Sequence, residues 1–314
     1  MWIPKRIDDY LARTEGWKVC LSIAAAGGVC AGLVVAKNYL QAKQENIGEI
    51  YVNVLQKVNL SMAEDGRIIG NSIVGEVNVR AVSESACDMG LPTFELSFTV
   101  DKRLKTEENT VEVAECVSYL SVESLLKDKE EYATVGLRFT PRSSEPFQLM
   151  RYSLNEPKSV PLLLHLGTMK EECGDTLTQL AFMLNLKADF EKTAHANDVT
   201  ITVPAPPIVG SCEVLLRPTS PKQCPGHAVY DPETSTVIWK IKKLNGGENV
   251  ELKTVFDTNE CQHVKNWKRG PILADFQIPA YMAAPFSASR LAVSDDRLVA
   301  KWIKYDTESG VYEI

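Results

Sequence analysis

Hydrophobic and polar residues alternate along the chain from residue 49 onward. A period of two is typical of a strand that buries one face and exposes the other. The pattern is clearest in the first stretch, where one face would carry Ile50, Val52, Val54, Val58, Leu60 and Met62. The opposite face would carry Glu49, Tyr51, Asn53, Lys57, Asn59 and Ser61. The stretch therefore predicts a long, half-buried strand.

A turn signal follows this strand at Glu64, Asp65 and Gly66, and the alternation resumes from Ile73 to Ala81. Two alternating runs on either side of such a turn predict a long antiparallel hairpin. Further strands are predicted over residues 94–100, 199–203 and 237–241. After residue 48 the pattern indicates at most one short helix, near residues 122–127. We therefore expect an all-β chain folded as an antiparallel β-sandwich.

Residues 19–36 break the alternation, because they form an uncharged run between Lys18 and Lys37. As a helix the run would span about 27 Å, close to the thickness of a bilayer's hydrocarbon core. Small residues recur at every fourth position, and such a groove lets another transmembrane helix approach closely. These helix-packing candidates are Ala24, Gly28, Gly32 and Ala36. A signal peptide or a buried soluble helix is the alternative interpretation, but a long segment of mixed charge precedes the run.

We accordingly expect a short charged segment over residues 1–18, one transmembrane helix over 19–36 and a linker over 37–46. Lys5, Arg6, Arg13 and Lys18 precede the helix, whereas only Lys37 and Lys43 closely follow it. The positive-inside rule then favours an N-terminus in the cytosol or the mitochondrial matrix, with the β-domain on the other side. The predicted location is the mitochondrial inner membrane or an endomembrane, as a single-pass protein.

Composition and charge exclude several classes of function. The formal net charge of −7 at pH 7 leaves no cationic field for nucleic acid, which is not an expected partner. The four histidines belong to no HExxH motif, and GxSxG and P-loop motifs are absent from the sequence. We therefore expect that the protein is not an enzyme and that it binds no cofactor.

The cysteines and histidines offer one weak candidate for a metal site. The eight cysteines show no repeated spacing, which is typical of mostly free thiols. If the domain faces an oxidising compartment, one or two disulfides are the alternative. A tetrahedral zinc site would require the loops that carry Cys224, His227, Cys261 and His263 to meet. Because this spacing is unusual, we expect no metal.

A collinear series of segments resembles the mu-homology domain of clathrin-adaptor medium chains. The segments are EIYVNVLQKVN (49–59), GEV (75–77), FQLMRY (147–152), VIWKIKK (237–243), WKRGPI (267–272), FQIP (276–279), KWIKY (301–305) and SGVYE (309–313). Each segment is weak alone, but their order along the chain is specific. The resemblance covers residues 47–314.

The resemblance implies an elongated all-β domain of two sandwiches, the second inserted into the first. The first sandwich would take residues 47–154 and 284–314, and the inserted one residues 155–283. Medium chains also carry an N-terminal longin-type domain. In this sequence we expect a membrane helix in its place, and therefore no assembly into an ordinary heterotetrameric adaptor.

Members of this family bind Tyr-x-x-Φ peptides, where Φ is a bulky apolar residue, as an added strand on a sheet edge. By resemblance, Tyr51 packs on the ligand tyrosine, Asn53 replaces an aspartate that accepts its hydroxyl proton, and Arg80 flanks the pocket. Trp302 matches a tryptophan of the binding strand, and Lys304 replaces an arginine that stacks on the tyrosine ring. The residues expected to line the Φ pocket are Ile50, Val52, Leu291 and Ile303.

Two of these positions depart from the family pattern. Asn53 offers a neutral acceptor in place of a charged one, which would forfeit about 1–2 kcal/mol of hydrogen-bond energy. Lys304 lacks the planar guanidinium that stacks on a ring. We therefore expect foremost a membrane-anchored, non-catalytic accessory or scaffold subunit, bound to other subunits of a membrane complex through the helix face and the β-domain. The alternative is adaptor-like recognition of Tyr-x-x-Φ sorting peptides in vesicle-mediated transport.

Overall fold

The computed structural model describes residues 48–82, 91–105, 109–124, 132–173, 176–206, 209–218, 224–258, 267–294 and 299–314. The predicted transmembrane helix and its packing residues Ala24, Gly28, Gly32 and Ala36 lie outside these ranges, and they stay a prediction. Within the described ranges, no helix is both long enough and apolar enough to cross a membrane.

The described residues are organised almost entirely as strands, as the alternation predicts. The strands are β1 (Gly48–Met62), β2 (Ile68–Val82), β3 (Phe94–Asp101), β4 (Val111–Val113), β5 (Val117–Ser124), β6 (Tyr132–Phe139), β7 (Phe147–Asn155), β8 (Leu162–Cys173), β9 (Thr176–Ala188), β10 (His195–Pro204), β11 (Ser211–Pro218), β12 (His227–Asp231), β13 (Thr236–Asn245), β14 (Asn249–Asp257), β15 (Leu273–Pro279), β16 (Phe286–Val293) and β17 (Val299–Glu313). A single 3₁₀ turn, Lys102–Lys105, is the helical element among the described residues. The helix expected near residues 122–127 is wrong for residues 122–124, because they pair with β6 as part of β5.

The strands form one large sheet and two smaller ones. The nine-stranded sheet has the order β12-β13-β10-β15-β17-β1-β2-β7-β4. The four-stranded sheets have the orders β11-β14-β9-β8 and β16-β3-β6-β5. The predicted hairpin is confirmed, since β1 and β2 pair antiparallel from Glu49 with Val82 to Met62 with Ile68.

One strand pair departs from the expected antiparallel arrangement. Strand β1 pairs with β17 in parallel, from Gly48 with Val299 to Ser61 with Glu313. The two strands lie at opposite ends of the described chain, so no hairpin constrains their direction, and a parallel pair needs only a long connection. This pairing brings the first and last described strands side by side.

The large sheet packs against both small sheets, and each contact forms a separate hydrophobic core. The first core joins Ile50, Val52 and Val54 of β1 to the phenylalanines of β3 and to β6 and β7. The second core joins Val58, Leu60 and Met62, further along β1, to β8–β10 and β13–β15. The two-part sandwich is therefore present, whereas the residue bounds predicted for its two parts stay a prediction.

Gln56 lies on β1 between the residues of the two cores, and its side chain is fully buried. Its amide nitrogen donates to Tyr152 Oη at 2.8 Å and to the carbonyl of Ala284 at 3.1 Å. Its amide oxygen accepts from the Ala284 backbone N–H at 3.0 Å. Because a buried amide must be hydrogen-bonded to be tolerated, these bonds fix the segment that leads into β16 onto β1.

The turn of the β1–β2 hairpin rests on the second sandwich. Gly66 has a φ of +82°, and a Cβ at this position would lie 2.1 Å from Nδ1 of His165 on β8. The Leu166 N–H donates to the Glu64 carbonyl at 3.2 Å, and Arg269 pairs with the Glu64 carboxylate at 3.0 Å. Glycine is needed here for both the backbone conformation and the close approach.

Candidate functional site

The parallel pairing of β1 with β17 brings most of the predicted site residues together. Tyr51 lies opposite Trp302 on β17 and opposite Arg80 on β2. One row further along the sheet, Asn53 lies opposite Lys304. These five residues, which are far apart in sequence, thus form two adjacent rows on the face of the sheet turned away from the first core.

Tyr51 and Trp302 form an aromatic pair at this face. Their ring centroids are 6.5 Å apart and their planes are within 14° of parallel. The Tyr51 hydroxyl donates to Oε2 of Glu49 at 2.5 Å. Sequence reasoning did not include Glu49 in the site, although it lies two residues before Tyr51 on the same face, where the alternation could have indicated it.

Two polar atoms of the site are buried without a hydrogen-bond partner among the described residues, namely Asn53 Oδ1 and Trp302 Nε1. Buried polar atoms in folded proteins nearly always have a partner, so such atoms need an explanation. One is an acceptor and the other a donor. The site therefore presents hydrogen-bonding capacity of both kinds that the described chain leaves unused.

Lys304 is engaged by a residue that the sequence analysis did not include. Its ammonium group pairs with the Oδ2 atom of Asp306, whose side chain is almost fully buried. The other carboxylate oxygen of Asp306 has no hydrogen-bond partner among the described residues. Asp306 follows Lys304 by two residues on the same strand, so both side chains lie on one face of β17.

The residues expected to line a Φ pocket fall into two groups. Ile50 and Val52 are buried in the first core, at 0% and 1% exposure. Leu291 on β16 and Ile303 on β17 are only partly buried and pack at the margin of that core. Without rearrangement of the core, an apolar ligand side chain could therefore contact Leu291 and Ile303, but neither Ile50 nor Val52.

The side of β17 that faces away from β1 is paired over only part of its length. Strand β15 pairs with β17 between Asp306 and Glu313. No other described strand pairs with that side over residues 299–305. Strand β16 is itself the edge of its own sheet. The Ala288 N–H of β16 donates to Tyr305 Oη at 2.8 Å and joins the two edges at this end.

The direction of the free backbone groups follows from one hydrogen bond. The Ala280 N–H donates to the Tyr305 carbonyl at 2.8 Å, so this carbonyl points away from β1. Backbone groups alternate in direction along a strand, which places those of Lys301 and Ile303 on the same free side. An extended peptide could pair with these two residues.

The weak metal candidate is not supported by the part of the chain that the structure describes. Cys224 is an exposed free thiol, and Cys261 and His263 lie outside the described residues. The described residues include no group of three or more His, Cys, Asp or Glu side chains that could hold a metal ion. Cys116 and Cys212 are also free thiols.

Comparison with known proteins identifies relatives over nearly the whole described chain. Residues 40–314 match the adaptor complexes medium subunit family. The chain is 24% identical over 287 residues to the AP-2 complex subunit mu of Dictyostelium discoideum, with 84% of this chain and 60% of that protein covered. It is 26% identical over 278 residues to the AP-1 complex subunit mu-2 of Bos taurus, with 85% of this chain and 59% of that protein covered. The chain thus spans about 60% of the length of the curated relatives it matches.

Solved structures show a similar fold at low sequence identity. The yeast delta-COP-I mu-homology domain complexed with a Dsl1 WxWxV peptide has a TM-score of 0.59 at 15% identity, with 85% of this chain and 98% of that chain covered. The Fcho1 mu homology domain of Danio rerio with a bound Eps15 peptide has a TM-score of 0.54 at 13% identity, with 87% and 98% covered. At these identities the likeness concerns the fold alone.

Proposed function

The chain belongs to the adaptor complexes medium subunit family, and from this premise we propose that it is a non-catalytic protein that binds short linear peptides along the free edge of β17. The main support for the proposal is the unpaired edge of β17. Between Val299 and Lys304, the backbone groups of β17 that point away from β1 are not paired with any described strand. An extended peptide would gain main-chain hydrogen bonds from Lys301 and Ile303.

The side chains beside this edge would supply specificity. A ligand aromatic ring would lie on the Tyr51–Trp302 pair, since offset aromatic stacks stabilise beyond their buried area. Asn53 Oδ1 and Trp302 Nε1 are buried without a partner among the described residues, so a ligand hydroxyl would bond to either atom only after the side chains that cover it move aside. An apolar side chain further along the peptide would contact Leu291 and Ile303. These features favour a Tyr-x-x-Φ type of ligand over the scaffold role that the sequence alone favours.

Two structurally similar domains are described with bound peptides, a Dsl1 WxWxV peptide and an Eps15 peptide. These ligands differ from each other and from Tyr-x-x-Φ. They support the general class of ligand, a short linear segment, rather than a particular motif.

Isothermal titration of the full chain with a peptide that contains Tyr-Ala-Ala-Leu tests the proposal. We expect Trp302→Ala to weaken binding at least about tenfold, because aromatic anchors carry most of the binding energy at such sites. The matched control is Val311→Ala, which removes an exposed side chain from the same strand and should bind as the wild type does. A Trp302→Ala protein that keeps its thermal midpoint and its affinity would overturn the assignment of the site.

The second candidate function is that of an accessory scaffold subunit anchored by the helix predicted over residues 19–36. The engagement of Lys304 by Asp306 favours it, because a lysine held in an ion pair is less available to a ligand. Purification of the full chain in detergent, with identification of stoichiometric partners, tests this candidate. Recovery of an integral membrane complex would favour the scaffold, and recovery of adaptor large chains would contradict it.

A further inference from the structure

A cleft of about 550 Å³ lies where the chain passes between the two sandwiches. Three segments line it: the β7–β8 connection at Ser159, the β9–β10 turn at residues 189–191, and the β15–β16 connection at residues 281–285. It is a shallow depression that is largely open to solvent, so it suits one side chain of a ligand better than a whole small molecule. We call it the junction cleft. It shares no residue with the site along β17.

Hydrogen bonds hold the walls of the junction cleft in place. Ser159 Oγ donates to the Ala283 carbonyl at 2.9 Å and joins two of the segments. Thr307 Oγ1 donates to the Tyr281 carbonyl at 2.8 Å, and the Asp189 N–H donates to the Pro161 carbonyl at 2.8 Å. A cleft whose walls are already fixed loses little conformational entropy when a ligand binds.

The inner surface of the junction cleft combines aromatic rings with carboxylates. The rings of Phe190 and Tyr281 lie 5.5 Å apart, tilted by 47°. Asp189 and Glu191 flank Phe190 in sequence, and Met282 follows Tyr281. None of the described residues that line the cleft is basic.

The two carboxylates are not equally available. Asp189 pairs with Lys187 at 2.7 Å. Glu191 accepts one long hydrogen bond, from Thr193 Oγ1 at 3.4 Å. Burial raises the pKa of the Tyr281 phenol, a hydrogen bond with Ser159 opposes this, and the charges of Asp189 and Glu191 raise the pKa further. Both carboxylates therefore act electrostatically on the tyrosine. Of the two, Glu191 makes the weaker contacts with the rest of the chain.

We propose that the junction cleft is a second binding site, which accepts an arginine side chain from a linear peptide with apolar residues beside the arginine. The guanidinium would stack on Tyr281 or Phe190 and pair with Glu191, and the neighbouring apolar side chains would contact Met282. Arginine suits this site better than lysine, because its planar group stacks on rings and forms paired hydrogen bonds with a carboxylate. The choice of a cationic ligand rests on Glu191, because Lys187 already pairs with Asp189.

Titration of the full chain with two synthetic peptides tests the proposal. One is acetyl-Gly-Leu-Arg-Leu-Gly-amide, and the other carries citrulline, a neutral residue of the same shape, in place of arginine. We expect the arginine peptide to bind at least about tenfold more tightly, because charge-assisted hydrogen bonds are about twice as strong as neutral ones. Equal affinities, or no binding of the arginine peptide at millimolar concentration, would overturn the proposal.

Two matched variants separate the junction cleft from general attraction to an acidic protein. Glu191→Gln should lower the affinity for the arginine peptide at least about fivefold and leave that for the citrulline peptide unchanged. Glu233→Gln, in the exposed β12–β13 turn, removes the same charge elsewhere and should bind as the wild type does. Equal losses in both variants would show attraction to net charge alone and would overturn the site, provided that both variants keep the thermal midpoint of the wild type.

Discussion

The ammonium group of Lys304 pairs with Asp306, two residues further along β17 and on the same face of the strand. The carboxylate is almost fully buried, whereas two thirds of the lysine side chain is exposed. Without Lys304, the buried carboxylate of Asp306 would have no oppositely charged partner among the ion pairs of the described residues. The pair gives Lys304 a structural role beside any role toward a ligand.

The first prediction concerns the stability that this pair supplies. Lys304→Met should lower the free energy of unfolding by about 1–3 kcal/mol, because an unpartnered buried charge is costly, although the exposure of the lysine reduces the effect. Lys301→Met removes an exposed lysine from the same strand and should change the stability by less than about 0.5 kcal/mol. Urea denaturation at pH 7 measures both. Equal effects of the two substitutions would contradict the structural role of Lys304.

The second prediction concerns the neutral acceptor at Asn53. Asn53→Asp should raise the affinity for a Tyr-x-x-Φ peptide by about 5–30-fold, because a charged acceptor strengthens a hydrogen bond from the ligand hydroxyl by about 1–2 kcal/mol. Titration with a peptide that carries Phe in place of Tyr is the control, since Phe has no hydroxyl to donate. A similar gain for both peptides would show that Asn53 does not face the hydroxyl.

The third prediction concerns the contact that fixes Tyr152. A Cβ on Gly75 of β2 would lie 1.9 Å from Cζ of the Tyr152 ring, which is fully buried and hydrogen-bonded to Gln56. Gly75→Ala should therefore lower the free energy of unfolding by about 1–3 kcal/mol through overpacking. Gly70→Ala lies on the same strand in open space and should cost nothing measurable. Thermal unfolding of the two variants compares them directly, and similar midpoints would contradict the packing described for Tyr152.

The fourth prediction is a dependence on pH at the end of β3. Arg103 donates to both carboxylate oxygens of Asp101, at 3.0 and 2.6 Å, and its backbone N–H donates at 2.9 Å. Burial alone would raise the pKa of Asp101, but the bonds and charge of Arg103 outweigh it, so the pKa lies below the ordinary value of 3.8. The stabilisation is complete above the pKa of the unfolded chain and is lost as the pH falls through the lower pKa of the folded chain.

Asp101→Asn should accordingly cost about 1–3 kcal/mol at pH 7, and the difference from the wild type should shrink below pH 3.8. Asp65 and Arg67 form the same arrangement two residues apart, but at 4.0 Å and largely exposed, so Asp65→Asn should cost at most about 1 kcal/mol. Denaturation between pH 2.5 and pH 7 measures the difference. A constant difference across that range would contradict the account of Asp101.

Much of the fold follows from local patterns, because strands that bury one face must alternate. The hairpin of β1 and β2 and the inward positions of Ile50, Val52 and Val54 could therefore be predicted. The parallel pairing of β1 with β17 could not, because it joins residues about 250 positions apart and no turn signals it. The alternation also places Gln56 on the buried face, but only the structure identifies Tyr152 and Ala284 as its partners.

The candidate site, too, could be predicted from the sequence only in part. The resemblance identified Tyr51, Asn53, Arg80, Trp302 and Lys304, and the register brings them into two adjacent rows. It did not indicate that Asp306 engages Lys304, because this pairing depends on the burial of Asp306 between β1 and β15. The Φ-pocket assignment stays a prediction; of its residues, Ile50 and Val52 are buried in the first core.

Hydrogen exchange along β17 tests the proposed mode of binding most directly. With a Tyr-Ala-Ala-Leu peptide bound to the full chain, we predict slower exchange of the Lys301 and Ile303 amides, whose N–H groups point to the free edge. The amides of Trp302 and Lys304 point toward β1 and should change little. The Trp302→Ala variant should lose the added protection. Protection of other strands while Lys301 and Ile303 exchange as in the free protein would contradict peptide binding at this edge.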